Sequence, residues 1–423
     1  MFSGVKKTAS SCWRPVRRYV RMNRDNSNSN NSNSNDSTHR NNNSNNHCNY
    51  DSDDYSGSSS SGGGGKSAGD HHPLLWSRDL EKHFLGEFSF AVFQANEVLE
   101  DRSQVETGRN ATFVGVYDGH GGPEAARFIS DHLFIHLIKH AQDSKTISED
   151  VIRNALSATE DGFLTLVSRT YKLKPLIAAI GSCCLVGLIW NRTLYVANLG
   201  DSRAVMGTFG RSNKIVAEQL TREHNASMSE VREELMSTHP DDASILVQKQ
   251  GIWRIKGIIQ VSRSIGDAYL KSPELALDPS FPRFHFAEPI RRPVLTAEPS
   301  VHTRTLKPND QFLIFASDGL WEHFTNDEAV ELVHNSPRAG IAKRLVQKTL
   351  KRVARKMNLK DEELRNVEKG ERRKYHDDIT VVVIFLDHNL LNQEMSLSVP
   401  ELSVQGFIDT SGPSKFNILQ QTT

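Results

Sequence analysis

Between residues 76 and 390 the spacing of apolar positions changes character several times, and each change predicts an element. Phe88-Ser89-Phe90-Ala91-Val92-Phe93 alternates with the two-residue period of a strand. Phe113, Val114, Val116 and Tyr117 form a β-branched and aromatic run that reads as a buried strand ending at Asp118. Ala126, Ile129, Leu133 and Leu137 then recur at helical spacing, which predicts an amphipathic helix from 123 to about 140. A second helix follows, with Thr146 and Glu149 as its capping box and Ile152, Leu156, Thr159, Phe163 and Leu166 on its inner face. From 177 to 215 the pattern returns to strands: Ser182 to Ile189, Leu194 to Asn198 and Ala204 to Gly207. This meander supplies one of two antiparallel sheets. Gln311 to Ala316 and Ile379 to Leu386 are further strands. Between them, Ala329, Leu332 and Val333 start one helix, and Ala342, Leu345, Val346, Thr349, Leu350 and Val353 mark the apolar stripe of a longer one. The elements together predict an α+β domain.

Composition separates this domain from its flanks. Residues 1–24 carry Lys6, Lys7, Arg14, Arg17, Arg18, Arg21 and Arg24 without an acid, and residues 26–35 are all Asn and Ser. So few apolar groups cannot offset the entropy of ordering, so 1–75 is expected to be a disordered basic, then Asn/Ser/Gly-rich, tail. Residues 391–423 are expected to be a flexible tail. The basic start suits an organellar transit peptide, a nuclear address, a patch for peripheral contact with an anionic membrane, or a plain basic tail. Across the whole chain 51 Lys and Arg balance 51 Asp and Glu, which gives no global signal for nucleic acid. Cys12, Cys48 and the adjacent Cys183 and Cys184 fit neither a disulfide framework nor a zinc spacing, so an intracellular, reducing compartment is expected.

The chemistry lies where the predicted strands end. Asp118 follows one strand and opens the glycine-rich turn Asp118-Gly119-His120-Gly121-Gly122-Pro123. Asp201 closes a Gly-Asp turn after Leu199, Asp318 follows the strand ending at Ala316, and His376-Asp377-Asp378 stands at the start of the last strand. In antiparallel sheets, strand ends and a strand start share one rim. At least three carboxylates would then meet. Their mutual repulsion would keep some protonated at neutral pH unless a divalent cation were present. Oxygen-only ligation suits Mg²⁺ or Mn²⁺ better than zinc, and two such ions bridged by one Asp would clamp a phosphoryl oxygen and activate water for hydrolysis of a phosphate ester. Taken alone, the turn at Asp118 or the one at Asp201 is also consistent with an ordinary tight turn.

Asp118-Gly119-His120-Gly121-Gly122, Gly200-Asp201-Ser202-Arg203, Val261-Ser262-Arg263-Ser264-Ile265-Gly266-Asp267, Ser317-Asp318-Gly319-Leu320-Trp321 and His376-Asp377-Asp378-Ile379-Thr380 occur in the order typical of one family. Over residues 76–390 the chain resembles the metal-dependent type 2C Ser/Thr protein phosphatases, and within them the plant branch. The resemblance implies a central antiparallel β-sandwich flanked on both faces by antiparallel helices. It implies two Mg²⁺ or Mn²⁺ ions per subunit, held by Asp118, the Gly119 carbonyl, Asp318 and Asp377, with Glu100 and Asp101 acting through water. Asp201 and Glu322 would support a third, weaker ion, Glu322 replacing the commoner Asp. His120 would protonate the departing serine or threonine oxygen; a structural hydrogen bond in the turn is its alternative role. The expected partners are phosphorylated proteins and not nucleic acid, and the chain is expected to be a monomer.

One departure matters. Animal members of the family place a phosphate-gripping arginine where this chain has Asn96, which supplies no charge and no bidentate fork. Lys369, Arg372, Arg373 and Lys374 are the candidates to replace it, against the alternative of an exposed basic loop. Residues 221–300 hold long loops of the kind that carry selectivity; within them Arg263 and Asp267 read as scaffold or flap residues. A catalytically weak phosphoprotein-binding protein on the same fold is the competing reading. A calcineurin-like metallophosphoesterase would need histidine ligands and an Asn-His-Glu or Asn-His-Asp stretch that the chain lacks.

Overall fold

The computed structural model describes residues 72–108, 111–284 and 290–391; apart from their inner margins, the predicted tails lie outside the described residues. Two sheets dominate. The first runs in the order β1 (Leu75–His83), β2 (Gly86–Phe93), β16 (Ile379–Leu386), β15 (Asp310–Ala316), β9 (Arg203–Phe209), β10 (Ile215–Gln219). The second runs β14 (Ser300–Thr305), β8 (Thr193–Leu199), β7 (Cys184–Trp190), β4 (Ala111–Tyr117), β3 (Arg102–Thr107). Every neighbouring pair is antiparallel.

Side-chain alternation decides the layers. Phe88, Phe90 and Val92 of β2 point to one side, where they meet Val114 and Val116 of β4, Leu185 and Ile189 of β7 and Phe315 of β15 in the core between the sheets. Ala91 and Phe93 point to the other and join a second core with helical residues. A strand buried on both faces needs no polar side, which is why β16 reads Ile-Thr-Val-Val-Val-Ile-Phe-Leu. Each such side chain contributes on the order of 1.5–3 kcal/mol by leaving water.

Helices close both faces. α1 (Glu124–Ser144) and α2 (Glu149–Thr170) pack on each other, and α1 lies on the second sheet, where the Phe134 ring is 5.2 Å from that of Phe113. α3 (Ser229–Thr238) precedes the hairpin β11 (Leu246–Lys249) and β12 (Ile252–Ile255), and α4 (Asp318–Trp321) directly follows β15. α5 (Asn326–His334) and α6 (Ile341–Lys356) cover the first sheet through Ala329, Val330, Val333, Ala342, Leu345 and Val346. The α+β class and the helix–sheet–sheet–helix order agree with expectation.

Two details differ from the sequence reading. α2 is capped by Ser148, whose hydroxyl accepts from the Val151 N–H at 3.3 Å, and not by Thr146, whose hydroxyl bonds the Ile147 carbonyl. Ser148 is extended, with φ −149°, and so can turn its oxygen onto the first helical turn. The strand predicted from Ser182 to Ile189 is interrupted at Cys183. Ser182 belongs to a small sheet made of β13 (Ile265–Gly266), β6 (Gly181–Ser182) and β5 (Gly119–His120), whereas Cys184 already pairs with Leu199 in the large sheet. The two sheets are also pinned together by His83, which bonds Thr112 Oγ1 at 3.1 Å and the Phe385 carbonyl at 2.9 Å. Burial pushes the pKa of His83 down to about 4, so it bridges the sheets uncharged.

Candidate metal centre

β4, β8 and β15 end, and β16 begins, at one rim of the sandwich: Val116 pairs with Leu185, Leu199 with Cys184, and Ala316 with Val381. Asp118, Asp201 and Asp318 each bring a carboxylate oxygen there, all within 4.8 Å of one another. Asp118 is held by its backbone, since its carbonyl accepts from Cys183 N–H at 2.9 Å and Ser182 Oγ at 3.2 Å. The following Gly119 has no room for a side chain, because a Cβ would overlap the Glu100 carbonyl oxygen. Asp201 accepts from the Cys183 thiol at 3.3 Å and from Asn225 Nδ2 at 2.7 Å. Asp318 is the first residue of α4, and its Oδ1 is buried without a hydrogen-bond partner.

Asp377 meets this cluster from the start of β16, but its oxygens are engaged by protein. Oδ1 accepts from Asn96 Nδ2 at 3.1 Å and from Asp378 N–H at 2.8 Å, and Oδ2 pairs with Arg373. Asp378 faces away and clamps the loop after β2. Its two oxygens accept the backbone N–H groups of Ala95, Asn96 and Glu100 at 2.6, 2.9 and 2.9 Å. Asp101 is buried behind the rim and accepts from Thr380 Oγ1 at 2.7 Å. Glu322 lies exposed at the edge.

The electrostatics of the cluster are unfavourable as they stand. Burial, and then Asp318, Asp101, Asp377 and Asp201, push the Asp118 carboxyl well above the ordinary carboxylate range. Burial, then Glu322, Asp201 and Asp377, do the same to Asp318, with Arg373 opposing. An orphaned buried carboxylate oxygen among mutually repelling acids is what a cation site requires. The donors are oxygens; the one nearby sulfur, Cys183, is kept a neutral thiol by burial and by Asp201 and Asp118. The set therefore fits a hard divalent ion such as Mg²⁺ or Mn²⁺.

Beside the cluster, His120 Nε2 is 2.7 Å from Asp267 Oδ2, and the same oxygen accepts from Ser264 Oγ at 2.6 Å. Asp267 is fully buried. The small three-stranded sheet makes this meeting: β5 carries His120, β13 delivers Asp267, and β6 lies between them. Gly181 of β6 is the space that the bond crosses, for a Cβ there would overlap both Asp267 Oδ2 and His120 Nε2.

Residues 94–362 match the family model described as Protein phosphatase 2C. This chain belongs to the protein phosphatase 2C family. Relatives of the same name are similar over nearly the whole length. A probable protein phosphatase 2C 43 of Oryza sativa subsp. japonica is 60% identical, covering 99% of this chain and 98% of its own. A probable protein phosphatase 2C 68 of Arabidopsis thaliana is 60% identical, covering 99% of each. Among solved structures, the serine-threonine phosphatase 2C from Toxoplasma gondii aligns with a TM-score of 0.53 at 18% identity, over 74% of this chain and all of that one. At that identity the likeness speaks for the fold.

Set on this phosphatase 2C fold, the residues singled out from sequence divide into two groups. Asp118, Asp201 and Asp318 converge with their oxygens together. Asp377 lies next to them but is tied to Asn96 and Arg373, and Asp101 is held by Thr380. Asp201, expected to support a weaker third position, shares one cluster with Asp118 and Asp318, their oxygens all within 4.8 Å of one another. Asp267, expected as a scaffold or flap residue, has a more specific place than the sequence indicates: it is the direct partner of His120. The only local signal is a serine three positions earlier, Ser264, whose hydroxyl bonds the same carboxylate. Arg263 does behave as scaffold, bonded to Glu234 and the Glu298 carbonyl.

Proposed function

We propose that this protein releases phosphate from phosphoserine and phosphothreonine in protein substrates at a binuclear Mg²⁺ or Mn²⁺ centre. Membership of the protein phosphatase 2C family makes the chain a plant serine/threonine protein phosphatase of a metal-dependent kind. In our assignment Asp118, the Gly119 carbonyl, Asp318 and Asp377 would hold the two ions. Glu100 and Asp101 would act through water ligands, and Asp201 with Glu322 would support a third, weaker ion. When bound, the ions polarise the phosphoryl oxygens and make water nucleophilic at neutral pH.

The chain supplies the remaining work. Asp118 and Asp318, desolvated and crowded, are pushed toward their protonated forms, and bound cations would let both ionise, which ties the site's charge to its occupancy. His120 gives a proton to the departing serine or threonine oxygen. Because a carboxylate can only accept, Nε2 carries the hydrogen that faces Asp267, and the proton handed on is the one on Nδ1. Asp267 positions the ring and does not touch substrate. The protein is proposed to act inside the cell as a monomer.

The observation that carries this reading is the convergence of three carboxylates around the unpartnered Asp318 Oδ1. It is tested by phosphate release from a phosphothreonine peptide with Mn²⁺ and again in excess EDTA. Turnover is expected only with the metal, and undiminished turnover in EDTA would sink the scheme. The alternative, a catalytically weak phosphoprotein-binding protein, draws support from Asn96. It predicts no Mn²⁺-dependent turnover of even a simple aryl phosphate.

A further inference from the structure

Four cations precede Asp377, and their surroundings differ. Lys369 is exposed, and Lys374 pairs with Glu371 at the surface. Arg372 turns inward: its Nη2 donates to the Arg365 carbonyl at 2.6 Å and its guanidinium lies 5.1 Å from the Phe93 ring centre, so it belongs to the core. Arg373 alone of the four reaches the acidic rim. It sits one helical turn before Asp377, in the short helical turn Glu371–Lys374, and returns one Nη2 to Asp377 Oδ2. Its Nε is buried with no hydrogen-bond partner. A guanidinium offers five donors in one plane, and a buried donor left unbonded is costly. The vacancy is one that an acceptor brought by a ligand would fill.

The site reads as one that takes a phosphate ester, and an anion approaching Asp118, Asp201, Asp318 and Asp377 meets strong repulsion. The metal ions offset part of it. Asn96, on the other oxygen of Asp377, adds a donor and no charge. Arg373, ion-paired with Asp377, is the protein's own positive charge at this point. Planar, bidentate recognition of two phosphoryl oxygens is the geometry a guanidinium supplies and an ammonium does not.

We propose that Arg373 is the phosphate-binding cation of this phosphatase, taking the phosphoryl oxygens of the substrate with the donors that Asp377 leaves unused. The proposal rests on the phosphatase reading above. The competing role is a clamp that merely neutralises Asp377.

The test uses the full chain loaded with Mn²⁺. Calorimetric titration with inorganic phosphate is run on wild type, Arg373→Ala and Arg373→Lys, alongside KM for a phosphothreonine peptide and Mn²⁺ affinity from chelator competition. Loss of the guanidinium is expected to weaken phosphate binding at least tenfold and to raise KM alike, with lysine restoring only part. Mn²⁺ affinity is expected to stay or to tighten, since a competing cation has left Asp377. Unchanged phosphate affinity at saturating Mn²⁺ overturns the proposal, as does a variant whose only defect is weaker Mn²⁺ binding. If the alanine variant does not fold, Arg373→Gln keeps a donor for Asp377 without the charge and is read the same way. A wild-type protein that releases no phosphate from the peptide refutes the phosphatase reading instead, so the two failures are distinguishable.

Discussion

Replacing Gly181 by alanine perturbs one hydrogen bond from a position that is not itself acid, base or ligand. The added Cβ would overlap Asp267 Oδ2 and His120 Nε2, which lie 2.7 Å apart, whereas a real Cβ keeps about 3.0 Å or more from such atoms. The pair has to open. A buried hydrogen bond to a charged group contributes about 1.5–3 kcal/mol, and at about 1.4 kcal/mol per tenfold its loss leaves roughly one ring in ten to one in a hundred correctly turned. General acid catalysis contributes on the order of 10²–10⁴, so most of its benefit goes with the orientation. Gly181→Ala is therefore expected to lower kcat on a phosphothreonine peptide by roughly 10- to 100-fold. The assay pairs that peptide with an aryl phosphate, whose phenolate departs without needing a proton. On the aryl ester the variant should be nearly as fast as wild type, with Mn²⁺ activation unchanged. Equal losses on both substrates would refute the reasoning, because they would place the damage in the metal cluster or the fold and not in the delivery of a proton.

Three further outcomes follow from single contacts. Asp378→Asn puts an amide where a carboxylate accepts three backbone N–H groups. At least one of them loses its acceptor, so urea unfolding should show a loss of about 1–3 kcal/mol together with weaker Mn²⁺ binding, and wild-type stability would contradict this account of the loop. His83 has its pKa depressed from 6.5 to about 4, so the stability it lends is whole above pH 6.5 and lost as pH falls toward 4. At pH 5 the loss is about 2 kcal/mol, and His83→Gln should flatten that part of the stability curve; a variant as acid-sensitive as wild type would exclude His83 as the cause. Ser148→Ala should cost α2 about 1 kcal/mol, while Thr146→Ala should cost little, and thermal melts that reverse the order would return the cap to Thr146.

The sequence determined by itself whatever depends on periodicity and on residue type at a boundary. Alternation in Phe88 to Phe93 placed a strand with two buried faces, the stripe from Ala342 to Val353 placed a helix, and acids at Asp118, Asp201, Asp318 and Asp377 stood at the margins of apolar runs because an unpaired carboxylate is expelled from a core. Only the tertiary structure decided which of these side chains touch. His120 and Asp267 are 147 positions apart and meet because two-residue strands of a small third sheet pair across Gly181. Asp118, Asp201 and Asp318, remote in sequence, bring oxygens within 4.8 Å of one another because strands of both large sheets end at one rim. Burial patterns are written locally, since each residue carries its own cost of leaving water. Distances of a few ångströms between remote groups are set by how the sheets close on one another, and no short stretch of the chain records that.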